Sequence, residues 1–342
     1  MQKKLIKEYC SKYINLRQID KVLKNKKILI AGASGFLGQW LVNVLLFLNN
    51  NYNLNLRITI ILRTNLKNNY YFYDDKYSSI SAFKADLCKG TRYKSKFDFF
   101  FHMAGNTIFS DNTEEKKSAM SSVKIIKNSI KLADICSVEN FIFISSGAVY
   151  GKNSKRKLGW KEKDTSEKNK NEKENYYGKA KLKSEKMLID YYNKRNNLKS
   201  LFIFRAFSFG GSGFRRKNYF AFDNFIKSRI TKKNIILNSQ GKSIRSFLHP
   251  IDFIIWLINI LNKKKLIISN VGSENKIAII KLANLIANKE HPGLRKVNVV
   301  IGHEKIEDNY VPDLKIAKSL GFRERISLDI QIKEALLNFY QK

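Results

Sequence analysis

One tyrosine and one lysine near the middle of the chain have the spacing of an acid–base pair. Tyr177 and Lys181 are four residues apart in a segment of helical character, so their side chains share one face of the helix. A neighbouring ammonium favours the phenolate, and we therefore expect Lys181 to lower the pKa of Tyr177 from its ordinary value of about 10. A tyrosine tuned in this way can act as a general base or acid at neutral pH. The alternative is a solvated helix pair, although no other tyrosine among the 16 is followed by lysine at the fourth position.

Two serines end an apolar segment that we interpret as a buried strand. The strand extends from Asn140 to Ser145, and the chain continues as Ser146-Gly-Ala-Val-Tyr-Gly151. Ligands of open α/β sheets bind at the carboxyl ends of the strands. The helix that carries Tyr177 is the next one after this strand, so we expect the serines to lie near the phenol.

A glycine-rich turn near the N-terminus has the context of a dinucleotide-binding site. It follows a predicted strand, Lys27-Ile-Leu-Ile-Ala31, and leads into an apolar helix. Gly32 permits the tight turn, Gly35 lets the backbone approach a pyrophosphate, and Gly38 lets the helix pack closely on the strand. The helix N-terminus adds N–H donors and the positive end of its dipole, whereas the alternative is a strand–helix turn without a ligand. Cofactor contacts are predicted for Gly32, Gly35, Phe36, Leu37 and Gly38.

Arg63 follows the second predicted strand, Arg57 to Leu62. An acidic residue at this point accepts a hydrogen bond from the ribose 2′-hydroxyl of NAD, whereas arginine can pair with the 2′-phosphate of NADP. Arg63 therefore favours NADP over NAD modestly. The alternative is that its side chain stacks on the adenine or faces solvent.

The order of the predicted elements indicates a doubly wound parallel sheet of the Rossmann type. Strands alternate with helices, and the strands are apolar throughout, as expected for strands that are buried on both faces. We predict a lead-in at 1–25, a dinucleotide-binding domain at 26–208 with 244–271, and a smaller mixed α/β substrate lobe at 209–243 with 272–342. The charged stretch at 152–175 is predicted to be a loop. The other predicted elements of the first domain lie at 36–48, 80–85, 97–102, 114–136, 176–192 and 201–204.

The composition excludes several classes of protein. The 342 residues include 64 Lys+Arg and 29 Asp+Glu, which gives a formal charge of +35. The lysines are spread through every segment, which favours a solvated basic surface over a nucleic-acid partner. No apolar run approaches the length of about 18 residues that a membrane span needs, and the N-terminus lacks the apolar core of a signal peptide. The three cysteines are scattered and indicate neither disulfides nor a metal site, so we expect a cytoplasmic protein without a metal.

Short motifs follow one another along most of the chain, at about residues 26–340. They are Gly32 to Gly38, Phe101-His-Met-Ala-Gly105, Ser145-Ser-Gly-Ala-Val-Tyr-Gly151, Tyr177-Gly-Lys-Ala-Lys-Leu-Lys-Ser-Glu185, Arg205-Ala-Phe-Ser-Phe-Gly210, Gly241 to Asp252 and Val311-Pro-Asp313. In this order they resemble the extended short-chain dehydrogenase/reductase family, specifically its NAD-dependent epimerase/dehydratase branch. Each motif is weak alone, but the ordered set is specific.

The resemblance implies a nucleotide-diphosphate sugar substrate and a nicotinamide cofactor, NAD or NADP. Tyr177 would exchange a proton with a sugar hydroxyl while hydride passes to the nicotinamide, and Ser146 would hydrogen-bond the reacting oxygen. Lys181 would hold the nicotinamide ribose, and Arg245 would bind the diphosphate of the substrate. The resemblance further assigns cofactor contacts to Asp86, Leu87, Ala104, Gly105 and Ser145, and substrate contacts to Ser208 and Asn224. It also implies a homodimer formed through the helices at 114–136 and 176–192.

Gly147 and Ala148 depart from the family pattern, because dehydratases of this branch have an acidic pair at these positions. Elimination of water needs an acid that protonates the leaving hydroxyl. The departure favours 4-epimerisation or reduction of a 4-keto sugar, and a 4,6-dehydratase with an acid from elsewhere in the chain is the alternative. A non-enzymatic dinucleotide- or RNA-binding relative is a further alternative, which the presence of both Tyr177 and Lys181 disfavours.

Overall fold

The computed structural model of the chain describes residues 2–63, 79–105, 111–151, 159–165, 175–211 and 220–338. Most of the charged stretch at 152–175, which the sequence predicts to be a loop, lies outside these residues. Across the described ranges, no helix has both the length and the apolar composition needed to cross a membrane.

Strands and helices alternate along the first two thirds of the chain. The strands are β1 Lys27–Ala31, β2 Arg57–Leu62, β3 Ile80–Lys84, β4 Phe99–His102, β5 Asn140–Ser146, β6 Ser200–Ala206, β7 Ile235–Ser239, β8 Ile244–Ser246, β9 Leu266–Val271, β10 Lys276–Ala278, β11 Val299–Glu304 and β12 Asn309–Tyr310. The helices are α1 Gln2–Tyr13, α2 Leu16–Leu23, α3 Phe36–Tyr52, α4 Asn112–Ile135, α5 Tyr176–Asn193, α6 Ala221–Ile230, α7 Pro250–Asn259, α8 Ile279–Asn288, α9 Lys315–Ser319 and α10 Leu328–Asn338. The predicted elements of the first domain are confirmed, with ends that shift by a few residues.

Seven of these strands form one parallel sheet in the order β3-β2-β1-β4-β5-β6-β9. The chain moves outward from β1 to β3 and then returns to place β4 on the other side of β1. The carboxyl ends of β1 and β4 therefore meet where the winding direction reverses, which is the usual ligand position in open α/β sheets. The predicted doubly wound parallel sheet is confirmed.

Helices cover both faces of the large sheet. The face toward α3 and α7 contains one apolar core, and the face toward α4 and α5 contains a second. The lead-in helices α1 and α2 pack on α3 and α7 from outside. Helix α3 is thus enclosed between the sheet and the lead-in, which explains why Trp40 and its neighbours are apolar on several faces.

A smaller lobe follows the large sheet in sequence. It contains a three-stranded sheet in the order β10-β8-β12, the pair β11-β7, and a core formed with α6, α8 and α10. Two boundaries differ from those expected from the sequence. Strand β8, which we grouped with the large sheet, pairs instead with β10 and β12 in the smaller sheet. Strand β9 is the part of the segment 244–271 that joins the large sheet, where it pairs with β6. The segment from Leu314 to Ile326, which we grouped with the lobe, packs on the α3 and α7 face of the large sheet.

Asp252 fastens that returning segment to α7. Its Oδ2 atom accepts hydrogen bonds from the backbone N–H groups of Arg325 and Ile326, at 2.9 and 3.0 Å. The carboxylate is fully buried, and burial raises its pKa above the ordinary value. The Asp252 carboxylate accepts from both N–H groups and therefore attaches the segment at 325–326 to α7.

We predict that Asp252→Ala lowers the free energy of unfolding by about 2–4 kcal/mol, because two buried donors lose their acceptor. Asp20→Ala is the matched control, since Asp20 forms an exposed pair with Lys24 and its loss costs about 0.5 kcal/mol or less. Urea denaturation of both variants measures the difference. Equal midpoints for the two variants would contradict the role given to Asp252.

Candidate active site

The glycine-rich turn is packed so closely that only hydrogen fits at two of its positions. Gly32 has φ +84°, and a Cβ atom there would lie 2.5 Å from the carbonyl carbon of Met103. A Cβ atom on Gly38 would overlap the carbonyl oxygen of Gly32. The N–H of Gly35 donates to that same oxygen at 3.0 Å, which closes the turn immediately before α3. Helix α3 begins at Phe36, followed by Leu37, directly after the turn that ends β1. The first N–H groups of a helix have no partner within the helix itself.

The segment after β4 joins this turn to the predicted acid–base pair. Met103 and Ala104 lie against Gly32, and a Cβ atom on Gly105 would lie 3.6 Å from Nζ of Lys181. The glycine turn and the amine of Lys181 thus border the same three-residue segment. The structure therefore brings together two motifs that are about 145 residues apart in the sequence.

Ser146, Tyr177 and Lys181 meet at the carboxyl end of β5. Lys181 is 5% exposed, its Nζ donates to the carbonyl of Ile144 at 2.8 Å, and it lies 5.8 Å from the centre of the Tyr177 ring. The phenol of Tyr177 lies near the hydroxyl of Ser146. Ser146 also caps the short 3-10 helix Gly147–Tyr150, accepting the N–H of Ala148 at 3.1 Å.

The first turn of α5 is fixed against that 3-10 helix. The side chain of Asn175 caps α5 by accepting the N–H of Gly178, and its Nδ2 donates to the carbonyl of Ala148 at 2.8 Å. Gly178 lies so close that a Cβ atom would overlap the same carbonyl oxygen. The carboxylate of Glu115 in α4 accepts the N–H of Tyr177 at 2.7 Å. These contacts hold the phenol beside Ser146.

The direction of the tyrosine pKa differs from the sequence-based expectation. Burial raises the pKa of Tyr177 above its ordinary value, Tyr310 raises it further, and the nearby Ser146 hydroxyl opposes both effects. Burial also lowers the pKa of Lys181 to about 8, although the nearby carboxylate of Glu185 opposes this shift. The net direction is opposite to the expectation, because desolvation of the buried phenol is the largest effect on its pKa.

A buried ion pair that the sequence analysis did not predict lies beneath the site. Glu185 and Arg205 are 1% and 4% exposed, and their side chains are joined at 2.7 Å between Oε2 and Nη2. Nη1 of Arg205 donates to the hydroxyl of Tyr150 at 3.0 Å and to the carbonyl of Glu162 at 2.6 Å. The only signal in the sequence was that Glu185 follows Lys181 by one helical turn.

Ser145 is bonded to the buried carboxylate of Glu185. Its side chain is buried, and its hydroxyl donates to the carboxylate of Glu185. Successive residues of a strand face opposite sides of the sheet, so Ser145 and Ser146 cannot both face the same ligand. The cofactor contact expected of Ser145 stays a prediction, and its hydroxyl is already bonded to Glu185.

The residues predicted at the adenine end of the cofactor lie at the carboxyl ends of β2 and β3. Arg63 is exposed directly after β2, and Asp86 and Leu87 follow β3. The Asp86 carboxylate accepts the N–H of Cys88 at 2.9 Å, and the Leu87 carbonyl accepts Nδ2 of Asn128 at 2.7 Å. All three residues therefore lie at the carboxyl ends of the strands, where the glycine turn also lies.

The predicted substrate contacts lie after β6 and in the smaller lobe. Ser208 is half-buried, and its carbonyl accepts the N–H of Leu248. Asn224 is exposed in the first turn of α6. Arg245 in β8 forms two hydrogen bonds, of 2.8 and 2.9 Å, with the carboxylate of Asp308. Its guanidinium is thus already paired, and a diphosphate would compete with Asp308 for it.

The geometry fits a dinucleotide at this edge of the sheet. The glycine turn brings backbone close to the start of α3 where a side chain would collide. Lys181 supplies a buried amine, and Arg63 and Asp86 lie farther along the edge. Together these groups can bind a pyrophosphate at one end and a ribose at the other. Among the described residues, no group of three or more His, Cys, Asp or Glu side chains could hold a metal ion.

Comparisons with known proteins agree with this description. The sequence profile of the NAD dependent epimerase/dehydratase family matches residues 28–272. A relative from Bacillus subtilis, named as the uncharacterized UDP-glucose epimerase YtcB, is 25% identical over 273 residues, which are 76% of this chain and 81% of the relative.

Two solved structures show the same fold. Epimerase Mth375 from Methanothermobacter thermautotrophicus matches with a TM-score of 0.75 at 18% identity, covering 95% of each chain. MoeE5, in complex with UDP-glucose and NAD, matches with a TM-score of 0.69 at 18% identity, covering 92% of this chain and 99% of its own. At this identity the likeness establishes the fold alone.

We predict that Gly38→Ala abolishes binding of NAD and NADP, because the added methyl group displaces α3 from the carbonyl of Gly32. Gly293→Ala is the control, since Gly293 also has a positive φ (+83°) but no atom within 4 Å of a built Cβ. That variant is strained by about 1–2 kcal/mol at a remote position and should bind the cofactor normally. Isothermal titration calorimetry compares the two, and undiminished binding by Gly38→Ala would contradict the proposed cradle.

Proposed function

The chain belongs to the NAD-dependent epimerase/dehydratase family, and on this basis we propose that it is a nucleotide-diphosphate sugar epimerase or 4-ketoreductase. The reaction would be a hydride transfer at a sugar carbon with Tyr177 as acid and base. Relatives and structural neighbours named for UDP-sugars make a UDP-hexose the first substrate to test.

The convergence of the glycine turn with Ser146, Tyr177 and Lys181 is the observation that carries the proposal. The segment 103–105 contacts Gly32 on one side and approaches Lys181 on the other. A cofactor whose pyrophosphate lies at the turn can therefore reach the amine with its second ribose. A solvated helix pair, or a strand–helix turn without a ligand, would not require the glycine turn and Lys181 to lie together.

Each side chain has a role that its surroundings support. Tyr177 takes the proton of a sugar hydroxyl as the bond to carbon becomes a carbonyl, and returns it in the reverse step. Ser146 holds the reacting oxygen beside the phenol. Lys181 binds the nicotinamide ribose, and its positive charge favours the phenolate. The cofactor, when bound, supplies the hydride acceptor.

The carboxylates around the site support epimerisation or reduction more than dehydration. Elimination of water needs a free acid near the leaving hydroxyl. Of the described carboxylates near Tyr177, Glu185 is paired with Arg205, and Glu115 accepts the N–H of Tyr177 itself. Gly147 has no side chain, and the space above it holds the hydroxyl of Tyr310 and the ring of Phe207.

A homodimer through α4 and α5 belongs to the same proposal. These two helices pack on each other over their length and cover one face of the sheet. Met120 of α4 is 68% exposed and Ile135 is 46% exposed, so the outer face of this helix has apolar surface to bury.

We predict that Tyr177→Phe lowers kcat by about 10²–10⁴, the usual contribution of a positioned acid–base group. Cofactor binding should be unchanged, because the glycine turn and Lys181 remain. Tyr93→Phe is the control, since Tyr93 is stacked on Phe83 and is not a predicted site residue. A turnover assay on UDP-hexoses and their 4-keto forms measures kcat, and calorimetry measures cofactor binding in parallel. Near wild-type turnover by Tyr177→Phe would contradict the mechanism.

We predict a preference for NADP that depends on Arg63. Arg63→Asp removes the partner of the 2′-phosphate and adds an acceptor for the 2′-hydroxyl. A charge-assisted contact is worth about 1.5–3 kcal/mol, so the ratio of NADP to NAD affinity should fall by more than about tenfold. Titration of both cofactors into both proteins measures this ratio, and an unchanged ratio means that Arg63 does not contact the ribose.

A further inference from the structure

The guanidinium of Arg245, to which the resemblance assigns the substrate diphosphate, is bound to a carboxylate. Nη1 and Nη2 of Arg245 donate to the two carboxylate oxygens of Asp308, at 2.8 and 2.9 Å. The side chains of Arg245 and Asp308 are 24% and 23% exposed, so the pair is open to solvent and to a ligand. The place expected to attract an anion therefore already contains one.

The backbone of the smaller lobe holds Asp308 beside Arg245. Asp308 directly precedes β12, and Tyr310 of β12 is the register partner of Arg245 in the parallel strand β8. The carbonyl of Asp308 accepts the N–H of Ile244 at 2.8 Å, which continues this pairing by one residue. The ring of Tyr310 lies 5.7 Å from the guanidinium carbon. The carboxylate and the guanidinium are thus fixed to the same small sheet.

The N–H groups of Arg245 are divided between two edges of the guanidinium. A guanidinium has five N–H groups. Asp308 accepts one from Nη1 and one from Nη2, and the carbonyl of Ile244 accepts the other from Nη1 at 2.9 Å. Across the part of the chain that the structure describes, the N–H of Nε and the second N–H of Nη2 have no acceptor, and they form an edge suited to a bidentate phosphate. Asp308 and a diphosphate therefore compete for the charge of the guanidinium and not for the same N–H groups.

A second carboxylate next to Asp308 has a different partner. Glu307 forms an ion pair with Lys242, in which Oε1 and Nζ are 3.4 Å apart and the side chains are 61% and 55% exposed. Carboxylates are scarce in this chain, with 29 Asp and Glu against 64 Lys and Arg. Two adjacent residues thus carry the same charge, and Asp308 is the one that faces Arg245.

We propose that Asp308 sets the affinity of the site for the substrate diphosphate by opposing the anion with its own charge. The inference rests on the proposed function, because it places the diphosphate at Arg245. A phosphate on the Nε and Nη2 edge lies one guanidinium away from the carboxylate, and like charges at such a separation repel each other. The site therefore binds a nucleoside diphosphate more weakly than Arg245 alone would, which favours release of the product.

The test compares Asp308→Asn with Glu307→Gln by calorimetric titration of UDP. Asp308→Asn keeps the shape of the side chain and one acceptor for Arg245 but removes the charge, and we expect the Kd for UDP to fall about 3- to 10-fold. Glu307→Gln changes the net charge equally, one residue away, and should alter the Kd less than twofold. Arg245→Ala should raise the Kd more than about tenfold, because a charge-assisted contact is lost.

The sign of the effect separates the proposal from a purely structural role of the ion pair. If the pair only stabilised the lobe, Asp308→Asn would bind UDP more weakly. The gain should also fall below about twofold near 1 M salt, where the screening length is about 3 Å. An unchanged or higher Kd in Asp308→Asn, an equal gain in Glu307→Gln, a gain that persists at high salt, or an unchanged Kd in Arg245→Ala would overturn the proposal.

Turnover separates failure of this inference from failure of the proposed function. With a UDP-hexose that the wild type converts, KM should fall in Asp308→Asn together with the Kd for UDP. If the wild type converts no nucleotide sugar, the proposed function fails, and the UDP titrations still decide the role of Asp308. If the wild type converts a UDP-hexose and Asp308→Asn binds UDP no more tightly, the inference alone fails.

Discussion

The buried ion pair between Glu185 and Arg205 is the interaction on which the site depends. It joins α5 to β6, and through the Ser145 hydroxyl it also binds the end of β5. Two charges removed from water cost several kcal/mol each, so the pair persists only because each remaining donor and acceptor is satisfied. Removing one partner alone would cost about 3–5 kcal/mol and release the helix turn that carries Lys181.

The same pair reaches the later part of the chain. Arg205 donates to Tyr150, whose hydroxyl donates to Asn270 of β9 at 2.6 Å, and the side chain of Asn270 donates to the carbonyls of Trp160 and Asp313. The carboxyl ends of three neighbouring strands are thus cross-linked on the side where ligands bind. The carbonyl of Asp313 lies three residues after Tyr310 of β12. These hydrogen bonds therefore extend from the large sheet to the chain segment that supplies a strand of the smaller lobe.

The sequence predicted the layers of the fold and the glycine turn because these depend on local patterns. Apolar strands between helices, and glycine where a Cβ would collide, are visible without a structure. Contacts across distant segments were not visible in the sequence. Residue spacing does not show that Arg205 pairs with Glu185, and Asp308 and Tyr310 belong to none of the quoted motifs. The pKa of Tyr177 was predicted in the wrong direction because spacing shows the neighbouring charge but not the desolvation.

The fate of the hydrogen at C4 of the sugar tests the central claim, hydride transfer at a site where Tyr177 moves the proton. A UDP-hexose with deuterium at C4 is mixed with an excess of the cofactor-loaded enzyme, quenched, and analysed by mass spectrometry. The account predicts that deuterium passes to the nicotinamide and, for an epimerase, returns to C4 without loss to water. Release of the deuterium to solvent, or an inverted C4 formed while the nicotinamide never acquires deuterium, would contradict it.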